Sequence, residues 1–386
     1  MLHTGSVHPD SPLLNRCPPT LPREAYRDPA WYAAEVEHVW KTSWVNVGRR
    51  ADLPAGTIRP IELAGQRLIL VHDDAGQIRA FHNTCRHRGA ELCAAEGSLR
   101  GGRITCPYHQ WTYDAQGRLI STAFGTPTSE FRKEEHGLFP VHLHDWRGFL
   151  FVCLSDTPPD FTQASIPELS KLANWPLERL VSAHRREWDM ACNWKIFWEN
   201  FNECLHCPGV HPNLSKRVPA FARGINAPNE AVDWTPDTPH VPSLSEGART
   251  WTVNGKPCGP EFPDLTEAER AESAGFLTFY PTCYISAQVD FLRVGTLKPL
   301  GPERTLLTVD WLVAPETLAA ADFDLANLVD FAAEVVDEDA MACEMNQRGL
   351  VSDRFRAGTL MPQEFEIAYF HAWLRARLPE GLEMSK

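Results

Sequence analysis

The sequence predicts an α+β protein of at least two domains, and three observations carry that expectation. Its 386 residues exceed what one domain of ~100–200 residues needs. Residues 44–155 run as short β-rich stretches broken by turn residues. Past Thr157-Pro158-Pro159-Asp160, amphipathic helical segments alternate with further strand-like runs. The expected division is an N-terminal arm and helix over 1–43, a β domain over 44–156 and a larger mixed domain over 157–386.

In chain order, the first 20 residues are rich in Pro, Ser and His and read as a loose arm. A helix is expected over 29–41, where Trp31, Val36, Val39 and Trp40 supply the apolar side. Strands are expected over 57–63, 67–71, 78–82, 103–106 and 149–154, because β-branched and aromatic residues cluster there. Asp73-Asp74-Ala75-Gly76 and Asp114-Ala115-Gln116-Gly117 read as hairpin turns. Beyond the Pro-Pro break come helical segments, a Pro/Gly-rich stretch over 218–263, a strand over 305–313 and a long helix over 322–348. No internal repeat is present.

Composition narrows the function. Hydrophobic residues make up 43% and charged residues 23%, ordinary values for a soluble globular chain. The formal charge is −13, and no Lys/Arg run supplies the basic patch that nucleic-acid binding needs. No apolar stretch reaches the ~20 residues of a bilayer span, and the first 16 residues lack the pattern of a signal peptide. The expected location is therefore the reducing cytoplasm. There the 11 cysteines are expected as free thiols or metal ligands rather than disulfides.

Two ligand pairs stand out in the β-rich region: Cys85-Arg86-His87 and Cys106-Pro107-Tyr108-His109, with 18 residues between them. Each follows a strand-like run, so each falls on a turn whose backbone can wrap an inorganic cluster. Two cysteines and two histidines suit tetrahedral zinc. Zinc fingers, however, keep Cys with Cys and His with His, whereas each loop here brings one thiolate and one imidazole. That division suits a [2Fe–2S] cluster in which two cysteines hold one iron and two histidines the other. Gly89 and Pro107 suit loops whose backbone passes close to the sulfides. Four unrelated core residues would not repeat the pattern twice. Cys93, the nearest extra thiol, is expected to be a buried structural cysteine.

A second group lies in the C-terminal region. Residues 194–206 read as a helix, with Trp194, Phe197, Trp198, Phe201 and Leu205 on one stripe and Glu199, Glu203 and His206 together on the other face. Pro208-Gly209 is expected to break that helix, allowing His211 to fold back beside His206. Two imidazoles and one carboxylate on one side of a metal form the facial triad of non-haem Fe(II) oxygenases. For the carboxylate, stepping 100° per residue along the last long helix places Asp339 in the middle of an apolar stripe of Leu328, Phe331, Val335 and Ala342. Asp337 falls on the opposite side and Glu338 at the margin. A buried ionised Asp is costly unless a cation or partner meets it. The alternatives at this stage are a buried Asp339 satisfied by hydrogen bonds, a zinc hydrolase site, and a redox or zinc role for Cys204-x₂-Cys207.

The flanks of these motifs carry a family resemblance. Cys-Arg-His-Arg-Gly and Cys-Pro-Tyr-His-Gln-Trp resemble the cluster loops of Rieske domains in ring-hydroxylating oxygenases. Trp111 stands where high-potential Rieske proteins carry a cysteine for a disulfide between the loops, so the oxygenase type is favoured. Residues 200–212 resemble the mononuclear-iron motif of Rieske oxygenase α-subunits, and residues 338–344 resemble the segment that bears their carboxylate ligand. The resemblance implies a Rieske β-domain followed by a helix-grip catalytic domain, an antiparallel sheet packed on helices. It implies one [2Fe–2S] cluster on Cys85, His87, Cys106 and His109, and one mononuclear Fe(II) on His206, His211 and Asp339. It also implies O₂ as co-substrate, NAD(P)H used indirectly through a flavin/iron–sulfur reductase partner, and a homotrimer in which one subunit's cluster feeds the neighbour's iron. Glu203 matches the acidic residue that bridges the two centres. A Glu there, in the Glu-Cys-x-His-Cys-Pro context, is similar to the branch holding glycine betaine and stachydrine demethylases, carnitine oxygenase and choline monooxygenase.

The branch resemblance makes the expected reaction oxidative N-demethylation of a betaine-like quaternary amine. The alternatives are hydroxylation of a small aromatic compound and, in another class, an electron carrier without a working iron site. Aromatic rings can cage a quaternary ammonium by cation–π attraction. The candidates are Trp198, Phe201, Phe279, Tyr280, Trp311, Trp234 and Trp251, with Trp198 and Phe201 assigned first to the core.

Overall fold

The computed structural model describes residues 8–164, 169–238, 243–379 and 382. The chain divides into two compact units. One comprises residues 40–165 with 280–282, the other residues 1–39, 166–279 and 283–386.

The first unit is built from antiparallel strands: β1 (Val45–Arg49), β2 (Thr57–Leu63), β3 (Gln66–His72), β4 (Ile78–His82), β5 (Gly97–Ser98), β6 (Arg103–Thr105), β7 (Thr112–Asp114), β8 (Leu119–Ser121), β9 (Pro140–Trp146) and β10 (Phe149–Cys153). Seven form a sheet in the order β1-β10-β9-β4-β3-β2-β5, and β6-β7-β8 form a second. The turn chemistry explains the hairpins. β2 and β3 are joined by Ala64-Gly65, both at positive φ, the geometry of the two-residue turn that matches strand twist. At both Asp-led turns the aspartate carbonyl accepts from a glycine three residues on, Gly76 at 3.0 Å and Gly117 at 2.9 Å, and both glycines have φ of 80°. One apolar cluster takes residues from both sheets, including Ile69, Val71, Phe81, Ile104 and Leu119. Cys85, Cys106, Trp111 and Tyr113 belong to the same cluster, so the loops that bear the cysteines are rooted in the core.

The second unit holds a five-stranded antiparallel sheet, ordered β11-β15-β14-β13-β12, from β11 (Val181–Met190), β12 (Ala274–Phe279), β13 (Cys283–Gln288), β14 (Phe291–Gly301) and β15 (Arg304–Val313). The helix Trp194–Phe201 is N-capped by Asn193, whose side chain accepts from the amide of Lys195. It lies on the sheet, for the ring of Tyr284 on β13 stacks on Phe201 at 4.4 Å and on Phe197 at 6.1 Å. The Leu325–Gly349 helix begins at an Asp324 cap, which accepts from the amide of Asn327. Lys195 and Glu35, both fully buried, form an ion pair at 2.6 Å. No described helix is long and apolar enough to cross a membrane.

Several expectations need correction. The helix expected over 29–41 is α-helical only over Pro29–Glu35 and continues as a wider π-helical turn over Val36–Trp40. The helix expected over 194–206 stops at Phe201, and Leu205, assigned to its apolar stripe, is 40% exposed. Pro208 and Gly209 break nothing. They lie inside a short helix, Cys207–Val210, where Pro occupies the first turn and its missing N–H has no role to fill. Nine cysteines are free as expected, but Cys204 and Cys207 are joined by a disulfide. The turn after Phe201 brings their Cα atoms to 4.9 Å, inside bridging range.

Candidate metal centres

The two loops of the first unit share one backbone. Cys85 donates its N–H to Ala90 O and its carbonyl accepts from Gly89. Cys106 donates to Trp111 O and its carbonyl accepts from Gln110, all at 2.8–3.0 Å. The fifth residue of each loop, Gly89 and Gln110, has positive φ. Each loop thus buries its cysteine at the root and lifts its histidine to the tip: Cys85 and Cys106 are buried, His87 is exposed and His109 half-buried. The imidazoles lie 4.7 Å apart between ring centroids. His87 stacks flat on Trp111 at 4.8 Å, and His109 lies 3.7 Å from Tyr108. The hydroxyl of Tyr113 stands 3.3 Å from Cys85 Sγ and accepts from the amide of Arg86 at 3.0 Å. Burial, with Cys106 close by, holds the Cys85 thiol above its ordinary range, so a thiolate there calls for a cation.

These donors fit a cluster better than a single ion. A zinc ion would draw four donors to within roughly 3.3–3.8 Å of one another. Among the described residues only His206, His211 and Asp339 bring three ligand atoms within 4.8 Å.

That second group is close-set. Nε2 of His206 lies 3.1 Å from Nε2 of His211, and Asp339 Oδ1 lies 3.0 Å from the latter and 3.4 Å from the former. Donors held at ~2.1 Å from one metal and on one side of it stand about 3.0–3.4 Å apart. Each imidazole is anchored from behind by a carboxylate. Glu203 Oε1 meets Nδ1 of His206 at 2.5 Å, and Glu338 Oε2 meets Nδ1 of His211 at 2.7 Å. A carboxylate at Nδ1 keeps the proton there and turns the Nε2 lone pair to the centre. Burial works against charge on His206, but Asp339 and Glu203 outweigh it and push the ring up to about 9. Burial likewise opposes charge on His211, which Asp339 and Glu338 nevertheless raise. Asp339 is desolvated, yet the two histidines hold it below the ordinary carboxylate range. An excess of negative charge facing two imidazoles suits a cation.

The elements explain the convergence. Phe201 ends its helix, Glu203 folds back to accept from the amides of Leu205 and His206, and the short Cys207–Val210 helix delivers His211 at its end. Asp339 reaches in from the Leu325–Gly349 helix. Asp337 points elsewhere, to Arg186 and to Nε1 of Trp188 at 2.7 and 2.6 Å. Glu199 does not join Glu203 and His206, because it accepts from the Tyr26 hydroxyl at 2.6 Å and lies 2.7 Å from His371 Nε2. Glu338 and Tyr113 were not singled out as functional from sequence. The available signal was the general need of a metal-bound histidine, or a cluster thiolate, for an outer partner. Of the aromatic candidates, Trp198 and Trp311 are fully buried, Phe279 and Trp251 nearly so, Phe201 and Trp234 are half-buried, and Tyr280 belongs to the other unit.

The profile of the family described as "Ring hydroxylating alpha subunit (catalytic domain)" matches residues 177–380, and that of the "Rieske [2Fe-2S] domain" matches residues 43–132. The chain is a Rieske oxygenase. As the oxygenase component of such a system it takes a [2Fe–2S] cluster, a mononuclear non-haem iron and O₂, with electrons from a reductase. This Rieske oxygenase is 31% identical over 385 residues to the glycine betaine monooxygenase oxygenase subunit of Chromohalobacter salexigens, covering 92% of this chain and 84% of that one. It is 27% identical to the chloroplastic choline monooxygenase of Spinacia oleracea, covering 93% and 78%. In fold it matches the quaternary ammonium Rieske monooxygenase CntA in complex with L-carnitine, with a TM-score of 0.70, 21% identity and coverage of 94% and 96%.

Proposed function

We propose that this Rieske oxygenase removes an N-methyl group from a small quaternary ammonium compound, with Cys85, His87, Cys106 and His109 holding the cluster and His206, His211 and Asp339 holding the iron. The observation that carries the reading is the His206–His211–Asp339 triad, lying near the Tyr284–Phe201 stack in a chain related to glycine betaine monooxygenase. The balanced reaction is R–N(CH₃)₃⁺ + O₂ + 2e⁻ + 2H⁺ → R–NH(CH₃)₂⁺ + HCHO + H₂O. When bound, the two iron centres supply single-electron delivery and O₂ activation.

The chain's own residues do the rest. Glu203 and Glu338 fix the tautomer and orientation of His206 and His211, so both Nε2 atoms converge without reorganisation. Asp339 stays ionised and neutralises part of a divalent charge. Phe201, half-buried beside Tyr284, offers aromatic surface to an ammonium. Tyr113 and the amides of the cysteine loops hold Cys85 and Cys106 in place. Glu203, which anchors His206, is the residue proposed to link the iron to the neighbouring subunit's cluster. A homotrimer served by an NAD(P)H-dependent flavin/iron–sulfur reductase completes the system.

The test is anaerobic purification, iron and sulfide analysis, and assay with a reductase, O₂ and glycine betaine. About three irons and two sulfides per chain, with stoichiometric formaldehyde, are expected. Hydroxylated product without formaldehyde across a series of quaternary amines would overturn the substrate class.

A further inference from the structure

The sheet of the second unit carries a charge that its own neighbours leave uncompensated. Arg293 sits on β14, opposite Ser286 of β13 and Trp311 of β15, and is 6% exposed. Its guanidinium lies 5.7 Å from the centroid of the Trp251 ring, and its Nε has no hydrogen-bond partner. Among the described residues no carboxylate forms an ion pair with it. The carboxylate whose field it feels is Asp339, whose Oδ1 already serves His206 and His211. Other arginines of this unit are paired: Arg185 with Asp310, Arg304 with Asp189 and Arg270 with Glu261. A buried guanidinium cannot shed its proton to escape the cost of desolvation. It calls for an anion.

The surroundings of Arg293 are unfinished in the same way. Trp251 Nε1 and Trp311 Nε1 have no partner, and neither does Oε1 of Gln288, which lies on the Ser286 face of β13 two residues further on. Buried polar atoms without partners are rare in folded chains, and these share a sheet face or a ring contact with the unpaired guanidinium, where a polar ligand would satisfy them. The same face leads to the metal-binding triad. Tyr284 and Gly295 are cross-strand partners on that side of the sheet, and Tyr284 stacks on Phe201 of the Trp194–Phe201 helix. Asp339 acts electrostatically on both Tyr284 and Arg293. One region therefore offers a fixed cation at Arg293, aromatic surface at the half-buried Phe201 beside Tyr284, and an anionic metal-binding group at Asp339.

We propose that Arg293 receives the carboxylate of the substrate, so that the enzyme acts on a small zwitterion bearing both a quaternary ammonium group and a carboxylate, and discriminates against quaternary ammonium alcohols. The inference rests on the N-demethylase reading above and narrows it. The N-methyl end of such a zwitterion faces the His206, His211 and Asp339 side, where oxidation occurs. The carboxylate end satisfies the guanidinium, and a planar fork of N–H donors suits a carboxylate better than a point charge does. An alcohol in the same pocket leaves Arg293 buried and unpaired.

Calorimetric titration of the anaerobic, unreduced holoenzyme tests this without turnover, using glycine betaine, choline and benzoate as probes on wild type, R293Q and R293K. Wild type is expected to bind glycine betaine at least about thirtyfold more tightly than choline, as for other buried charge pairs. R293Q should lose that preference by weakening betaine alone, and R293K should fall between. The cluster's visible absorption confirms folding of each variant, and the wild-type betaine-to-choline ratio decides the matter if R293Q does not fold. Equal affinities for the two probes in wild type, or equal weakening of both in R293Q, overturns the proposal. If no quaternary amine binds but benzoate does, in an Arg293-dependent way, the N-demethylase reading fails together with the zwitterion, and Arg293 remains a carboxylate anchor.

Discussion

Glu338→Ala is expected to weaken Fe(II) binding at the second centre by about ten- to a hundredfold while leaving the [2Fe–2S] centre intact. The magnitude follows from the geometry. Glu338 Oε2 lies 2.7 Å from Nδ1 of His211, which is 1% exposed while Glu338 is 20% exposed, so water replaces the lost carboxylate only in part. A buried donor left unsatisfied costs ~1–3 kcal/mol, and at ~1.4 kcal/mol per decade that is about five- to 150-fold in affinity. The ring is also freed to rotate and to change tautomer, which adds in the same direction. The assay removes the mononuclear iron with a mild chelator, then titrates Fe(II) back anaerobically while the cluster's absorption reports that the fold survives. Asp337→Asn is the matched control, since the adjacent carboxylate serves Arg186 and Trp188 instead. Glu338→Gln keeps an acceptor and should give an intermediate affinity. Wild-type affinity in Glu338→Ala, or an equal loss in Asp337→Asn, would refute the idea that this carboxylate acts through His211.

Four further outcomes are expected. Tyr113→Phe deletes the hydroxyl 3.3 Å from Cys85 Sγ and should lower the cluster's reduction potential in a redox titration, with iron content unchanged. Gly295→Ala places a methyl about 2.0 Å from the Tyr284 ring, which must leave Phe201; thermal unfolding should report a loss of ~1–3 kcal/mol, with impaired turnover. Lys195→Met strands Glu35 in the core and should cost about 3–5 kcal/mol in denaturant unfolding, most of it recovered by adding Glu35→Leu. Burial, partly opposed by the Asn226 amide and aided by Glu366, raises Glu230 from 4.5 to about 7. The folded state then holds that proton more tightly than the unfolded chain does. Its contribution to stability is complete below about 4.5 and is lost as pH rises through about 7. Glu230→Gln should therefore gain on wild type by up to ~3 kcal/mol between pH 5 and pH 8 in unfolding experiments.

The paired cysteine–histidine loops were legible in sequence because residue identity and spacing are one-dimensional, and Gly89 suited a tight backbone passage. Gln110, in the same conformation, gave no such sign. Asp339 was reached by periodicity, although the buried residues nearest it are Val336 and Cys343, while Val335 and Ala342 are half-exposed. The stripe is rotated by about one residue from the one inferred, and Asp339 borders it. The end of the helix at Phe201 was invisible, since apolar spacing continues to Leu205 after the backbone has turned at Asn202. Glu199 was misplaced for the same reason. Its real partners, Tyr26 and His371, lie 173 and 172 residues away, and no local pattern encodes such pairs. Arg293 was silent because Phe291 to Gly295 shows no alternation that would flag a lone charge on a buried face.

The two cysteine loops repeat a backbone but not a side-chain schedule, and this has a consequence for docking. The imidazole comes two residues after cysteine in one loop and three in the other. His87 consequently stands open against Trp111, while His109 is shielded by Tyr108, itself 5.4 Å below the guanidinium of Arg88 from the opposite loop. The tip has a polarity, with a bare imidazole edge on one side and a laced Arg–Tyr–His stack on the other. A redox partner docking at this tip would meet two unlike faces, and shape and charge there would set its orientation.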